Sequence, residues 1–142
     1  MTPAETYQRY EEVEARLSAG GCSIEERDKL DKERRDAILG IIPEVGRGCT
    51  ICYWSDKRAA TITKVEYTKK GKPKAVEVTH NKVICKDWFG DEYEILPELD
   101  ERRKDRFTLR RNGLWYEEGQ ETSPHSVVLM LHYQRHSIDP CF

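Results

Sequence analysis

The sequence predicts an α+β fold. An N-terminal helical hairpin (residues 1–45) packs on a small antiparallel β-barrel or curled sheet of about seven short strands (residues 46–142). Three observations carry this. Two helix-start signatures, each followed by apolar residues at helical spacing, fill the first third. From Gly46 onward the period changes and short strand-like runs alternate with turn residues. Asn112-Gly113, set between two such runs, is the strongest hairpin signal in the chain.

Each element follows from local chemistry. Thr2-Pro3-Ala4-Glu5 starts the first helix: Thr2 caps, Pro3 suits the first turn, and Glu5 closes a capping box. Tyr7, Tyr10, Val13 and Leu17 then recur on one stripe, and Gly20-Gly21 stops the helix. Ser23-Ile24-Glu25-Glu26 starts a second helix, with Leu30, Arg34, Ala37, Ile38 and Ile41 on its stripe and Pro43 beyond its end. A short turn joins the two into an antiparallel hairpin. Both stripes are thin, so the hairpin needs the rest of the chain or a second copy to cover it. An oligomer interface is the expectation slightly favoured.

The body reads as strands at Thr50–Trp54, Ala60–Tyr67, Ala75–His80, Val83–Lys86, Tyr93–Leu96, Arg106–Arg110, Leu114–Glu118 and Val127–Gln134. Gly71 and Pro73 make residues 69–74 a turn. Residues 97–104 read as a charged loop, and residues 136–142 as a tail.

Composition bounds the function. Of 142 residues 35% are charged, and the formal net charge is −2. Residues 1–45 carry 11 acids against 7 bases, whereas the body carries 15 against 17. That mild excess falls short of a dedicated DNA-binding domain. Lys69, Lys70, Lys72 and Lys74 cluster, as do Arg102, Arg103, Lys104 and Arg106, and solvation alone explains such groups. No apolar run approaches the ~20 residues that span a bilayer. Residues 1–14 carry acids and tyrosines where a secretory signal has a basic start and an apolar middle.

The five cysteines are an odd number, which suits free thiols in a reducing compartment. Cys49 and Cys52 form a C-x-x-C, but they lie three apart in a strand reading and point to opposite faces, which argues against a metal site. His132 and His136 would stand ~13 Å apart on a strand. His80 and His125 sit beside turns and read as surface histidines. No phosphate-cradling glycine loop and no nucleophile elbow is present. Neither a cofactor nor a metal is expected.

Aromatic and basic residues do stand side by side: Trp54 with Arg58, Trp88-Phe89 among acids, Arg110 and Arg111 before Trp115, and Arg135 after the last strand. Aromatic faces stack on bases and guanidinium groups pair with phosphate. These eight residues are the candidate ligand contacts, with burial in the core as the competing reading for Trp54 and Trp115.

From about Gly46 the chain resembles a family of small, poorly characterised bacteriophage and prophage proteins. The resemblance rests on Thr50–Ile62, on Asp91-Glu92-Tyr93-Glu94, on Phe107–Trp115 with Gly119, and on Arg135 with Asp139-Pro140-Cys141-Phe142. The chain departs from that pattern in its helical first 45 residues and at residues 83–90. The resemblance implies a small β fold working in the cytoplasm of an infected bacterial host. The expected function is a non-catalytic binding protein that inhibits host defence by holding a nucleotide signal or nucleic acid. Two alternatives stand beside it. One is a protein–protein inhibitor, or an oligomeric interaction protein assembled through the hairpin. The other is a small hydrolase using Asp56, Asp91 or Glu94 with a histidine.

Overall fold

The computed structural model describes residues 2–86, 92–119 and 126–138. The chain divides into two compact units at Ile42/Pro43. The first holds helices α1 (Pro3–Ser18) and α2 (Ile24–Leu39). The Thr2 hydroxyl accepts from Glu5 N at 3.3 Å, and the Ser23 hydroxyl accepts from Glu26 N at 3.2 Å. Both helices therefore start where the capping residues place them. Gly20 and Gly21 take positive φ, which ends α1 and turns the chain. The helices are laced by ion pairs: Arg34 Nε lies 2.7 Å from Glu14, and Arg16 lies 3.7 Å from Glu33. Thr6 Oγ1 donates to Pro3 O and accepts from Ile42 N at 3.0 Å, fastening the end of the unit to its beginning.

The second unit holds six strands: β1 (Gly48–Cys52), β2 (Lys57–Tyr67), β3 (Pro73–Cys85), β4 (Tyr93–Leu109), β5 (Trp115–Glu117) and β6 (Val128–Met130). All neighbours are antiparallel and follow sequence order, and β6 returns to pair with β1, closing the sheet into a ring. The strand registers set which side chains face inward. Cys49, Ile51, Ala60, Ile62, Val76, Val78, Phe107, Trp115 and Leu129 share the inner face and are all buried. Closure pairs both edges of the sheet, so none of the six strands remains a free edge along the closed part.

Several boundaries differ from the sequence expectation. The runs 75–80 and 83–86 are one strand, β3, and the expected loop 97–104 lies within β4. Beyond Asn81 and Leu99 the two strands leave the ring and continue as a two-stranded ribbon, with Val83 opposite Ile95 and Cys85 opposite Tyr93. On this ribbon Asn81, Val83, Tyr93 and Ile95 are half-buried while Lys82, Ile84 and Glu94 are exposed, and the exposed charged residues 101–104 conceal that the strand continues. Pro97 is tolerated there because a ribbon strand has one free edge. At the other end of the body only residues 128–130 of the expected strand 127–134 pair as β6.

Residues 134–137 instead fill a gap in the sheet. Beyond the Ala60–His80 pair, β3 no longer borders β2. Ser137 takes its place, exchanging two backbone bonds with Lys57 at 2.7 and 2.8 Å. The Gln134 amide donates to Ala60 O, and Ala59 N donates to His136 Nδ1 at 3.3 Å. Thr50 anchors this segment: its hydroxyl donates to Tyr133 O at 2.8 Å and accepts from Arg135 N at 3.0 Å.

Candidate functional site

The inner face changes character along its length. At the end where β1 turns into β2, the rows of apolar side chains give way to polar ones. Arg58 follows Ala60 on β2, His80 follows Val78 on β3, Asp105 follows Phe107 on β4, and Glu117 follows Trp115 on β5. Arg103, exposed where the β3–β4 register breaks, is near enough for its charge to act on Tyr53 and His136. Tyr53 and His136 join the group from the β1–β2 turn and the filling segment. The result is a polar end of seven side chains above a dry core.

His80 is 4% exposed, and its Nε2 lies 2.7 Å from Asp105 Oδ2. A histidine so deeply placed needs such a partner, because a lone polar ring in that position costs free energy. This corrects the expectation of a surface histidine. The bond also fixes the imidazole orientation and aims the Asp105 carboxylate.

Glu117 lies within reach of the Asp105 charge. Burial, and then that neighbouring carboxylate, raise its pKa above the ordinary carboxyl range. Tyr53 is likewise pushed up, first by burial and then by the Asp105 and Glu117 charges, with Arg58 and Arg103 acting in the opposite direction. The Arg58 guanidinium stands 5.6 Å from the Tyr53 ring and 3.9 Å from Asp56. His136 is held below its ordinary value, chiefly by burial and then by Arg58, Arg103 and His80. Its Nδ1 accepts a backbone proton, so the neutral ring is the form that fits. Tyr93 meets that ring edge-on at 4.7 Å between centroids.

Two cations, two carboxylates and two imidazoles thus gather at one end of the ring, with Arg103 exposed at its rim. Such a set can hold a ligand bearing both an anionic group and hydrogen-bond donors. Guanidinium groups suit phosphate, and carboxylates accept from the N–H edge of a base.

The eight candidates named from sequence are not brought together. Arg58 belongs to the polar end, with its side chain 28% exposed. Trp54, at the tip of the adjacent β1–β2 turn, is 84% exposed. Trp115 is 4% exposed and forms part of the inner core, so its ring is not a surface contact. Arg110 and Arg111 lie on the β4–β5 turn at the opposite end, where they line an open depression of about 630 Å³ with Leu109, Asn112 and Tyr116. Arg135 is exposed and is held through its backbone to Thr50. Trp88 and Phe89 lie outside the described residues, as does Asp91 of the hydrolase alternative. Asp56 of that alternative lies 3.9 Å from Arg58, and its charge also reaches His136.

Sequence reasoning missed Tyr53, His80, Arg103, Asp105, Glu117 and His136. They are spread over 84 positions, and only ring closure gathers them.

Cys49 is fully buried on the inner face while Cys52 is part-exposed, 3.6 Å from the Tyr133 hydroxyl. Among the described residues no group of three His, Cys, Asp or Glu side chains is arranged to hold a metal ion. No helix among them is long and apolar enough to cross a membrane.

Comparison with protein-family models, with curated proteins and with solved structures gives no match.

Proposed function

We propose that this protein is a non-catalytic binding protein that holds a nucleotide-type ligand at the polar end of the ring. One observation carries the reading: strand register brings Arg58, Asp105 and Glu117 to the same inner face as the buried His80, which bonds Asp105 at 2.7 Å, with the exposed Arg103 at the rim. In this reading the guanidinium groups take the phosphate. The carboxylates take the N–H edge of the base, and Tyr53 offers a ring beside Arg58. The closed ring holds these groups on strands, which positions them before a ligand arrives. In the infected bacterial cell that the family resemblance implies, tight capture of a nucleotide signal would inhibit a defence response without any chemical step.

The test is calorimetric titration with a panel of mononucleotides and cyclic dinucleotides, together with the ultraviolet spectrum of material released on denaturation. Binding that Arg58→Ala weakens by about ten- to a hundredfold, the range of one charge-assisted hydrogen bond, supports the site. Titrations without heat, coupled with a release that does not absorb near 260 nm, would sink it.

A second reading has its own observation. The 2.7 Å bond between His80 and Asp105, beside a Glu117 whose pKa is raised, is an arrangement that general acid–base chemistry uses. Conversion of a bound nucleotide on prolonged incubation, abolished by Glu117→Gln with binding intact, would replace capture by hydrolysis.

A further inference from the structure

The opposite end of the ring carries an unused feature. The β2–β3 turn supplies Lys69, Lys70 and Lys72, the start of β3 supplies Lys74, and the β4–β5 turn supplies Arg110 and Arg111. Strand register places the two turns side by side: Tyr67 pairs with Pro73 across the first, and Ala75 pairs with Thr108 just before the second. All six cations are exposed, and among the described residues none of them has an ion-pair partner.

The nearest acids are already engaged. Arg106 binds Glu66 at 2.8 Å and Glu118 at 2.6 Å, which withdraws both carboxylates from the neighbouring lysines. Lys74 is close enough to help hold the Glu66 carboxyl below its ordinary range, after Arg106 and Lys64. A solvated loop would be free to neutralise its charge locally. Here the fold concentrates six positive charges and spends the adjacent negative ones on a different arginine.

The surface at the β4–β5 turn is not purely charged. Leu109, Asn112 and Tyr116 line the depression beside Arg110 and Arg111. The Asn112 amide donates to the Tyr116 hydroxyl at 2.9 Å and so fixes that ring. Tyr67, across the β2–β3 turn, is 49% exposed. Cations at a spacing of one or two residues, with aromatic rings between them, are the pattern that tracks a flexible phosphate backbone.

We propose that this end of the ring binds single-stranded nucleic acid, at a site separate from the nucleotide site at the polar end. The electrostatic part of such binding scales with the phosphates neutralised. For single strands the logarithm of the affinity falls by about 0.7 per phosphate for each tenfold rise in salt, so three to six contacts give a slope of roughly −2 to −4.

The experiment is fluorescence anisotropy of a labelled 20-mer oligothymidylate against the full-length protein over a salt series. Two variants are compared: one with Lys69→Glu, Lys70→Glu and Lys72→Glu, and one with Arg110→Glu and Arg111→Glu. All five positions are exposed, and circular dichroism checks the fold. If charge reversal disturbs it, the matching Gln variants replace the Glu ones. The expected result is binding with that slope, weakened at least tenfold by either variant and unchanged by Arg58→Ala. Absence of binding at low salt, or variants that bind as the parent does, overturns the proposal. So does equal competition by polyglutamate, which would assign the surface to an acidic protein. The Arg58→Ala control keeps failure here distinct from failure of the nucleotide reading.

Discussion

Replacing Thr50 by Val should loosen the polar end without touching any residue in it. The swap keeps the shape of the side chain and removes the hydroxyl. That hydroxyl is fully buried and makes two bonds, at 2.8 Å to Tyr133 O and 3.0 Å from Arg135 N. Each lost bond costs about 1 kcal/mol net, and a buried group left without its partner adds to that. The expected loss is therefore about 2–4 kcal/mol. In urea, with a slope of about 2 kcal/mol per molar, the midpoint falls by roughly 1–2 M. The loss should be local as well as global, because Thr50 anchors the segment that carries His136 and Ser137 to the start of β2. Amide exchange at Lys57, Ala59 and Ser137 should accelerate well beyond that of Val76 and Val78 in the middle of β3. Nucleotide affinity should fall with it. A stability loss below about 1 kcal/mol, with exchange at Ser137 unchanged, would refute the argument that one buried hydroxyl holds this segment in the gap.

Three further outcomes follow from the same geometry. Glu117 has a folded-state pKa above its unfolded value, so folded protein binds the extra proton and stability falls as pH rises through that window, just above the ordinary carboxyl range. Glu117→Gln should remove that decline, seen as a difference between the two pH–stability curves, and a variant curve parallel to the parent would contradict it. His136 shifts the other way: its folded pKa lies below its unfolded value of about 6.5. The unfolded chain therefore takes up the proton first, and stability drops as pH falls from that value toward the folded one; His136→Gln should lose this acid sensitivity in thermal melts. Cys49 is fully buried, and burial raises its thiol pKa well above the ordinary range. A thiol-reactive reagent on native protein should label Cys85, which is exposed, and spare Cys49 until denaturant is added; mass mapping that finds Cys49 modified first would overturn its placement on the inner face.

The helical hairpin was legible because its signals are local. Thr2 and Ser23 act within three residues of their partners, and Gly20-Gly21 act on their own backbone. The Asn112-Gly113 hairpin was legible for the same reason, with Gly113 at positive φ and its N–H bonded to Arg110 O. The long strands were not. Within residues 97–104 the register pairs Leu99 and Lys104 with β3, and the exposure of residues 101–104 removes the apolar alternation that identifies a strand. For Trp115 the sequence left burial and ligand contact as competing readings, because adjacency to Arg110 and Arg111 says nothing about the face of a strand. In β5 that face is the core.

The polar end had a weaker signature that a period-two reading could have reached. Four of the six inward rows are apolar and then end in a titratable group at the same end of the ring: Ile62, Ala60, Arg58 on β2; Val76, Val78, His80 on β3; Phe107, Asp105 on β4; Trp115, Glu117 on β5. Taken singly, each row looks like a strand fraying into solvent. Their coincidence is visible only once the registers are known, because a one-residue slip would send every one of these side chains to the outer face. Burial then separates a site from a frayed edge. A frayed edge would leave its histidine wet, whereas His80 is buried against Asp105, and the desolvation that raises Glu117 acts on a carboxyl with no ion-pair partner among the described residues. A fold under selection for stability alone gains nothing by placing two like charges there. Arg58 and Arg103 offset part of that repulsion, and in the proposed reading a ligand donating hydrogen bonds to the pair would offset the rest.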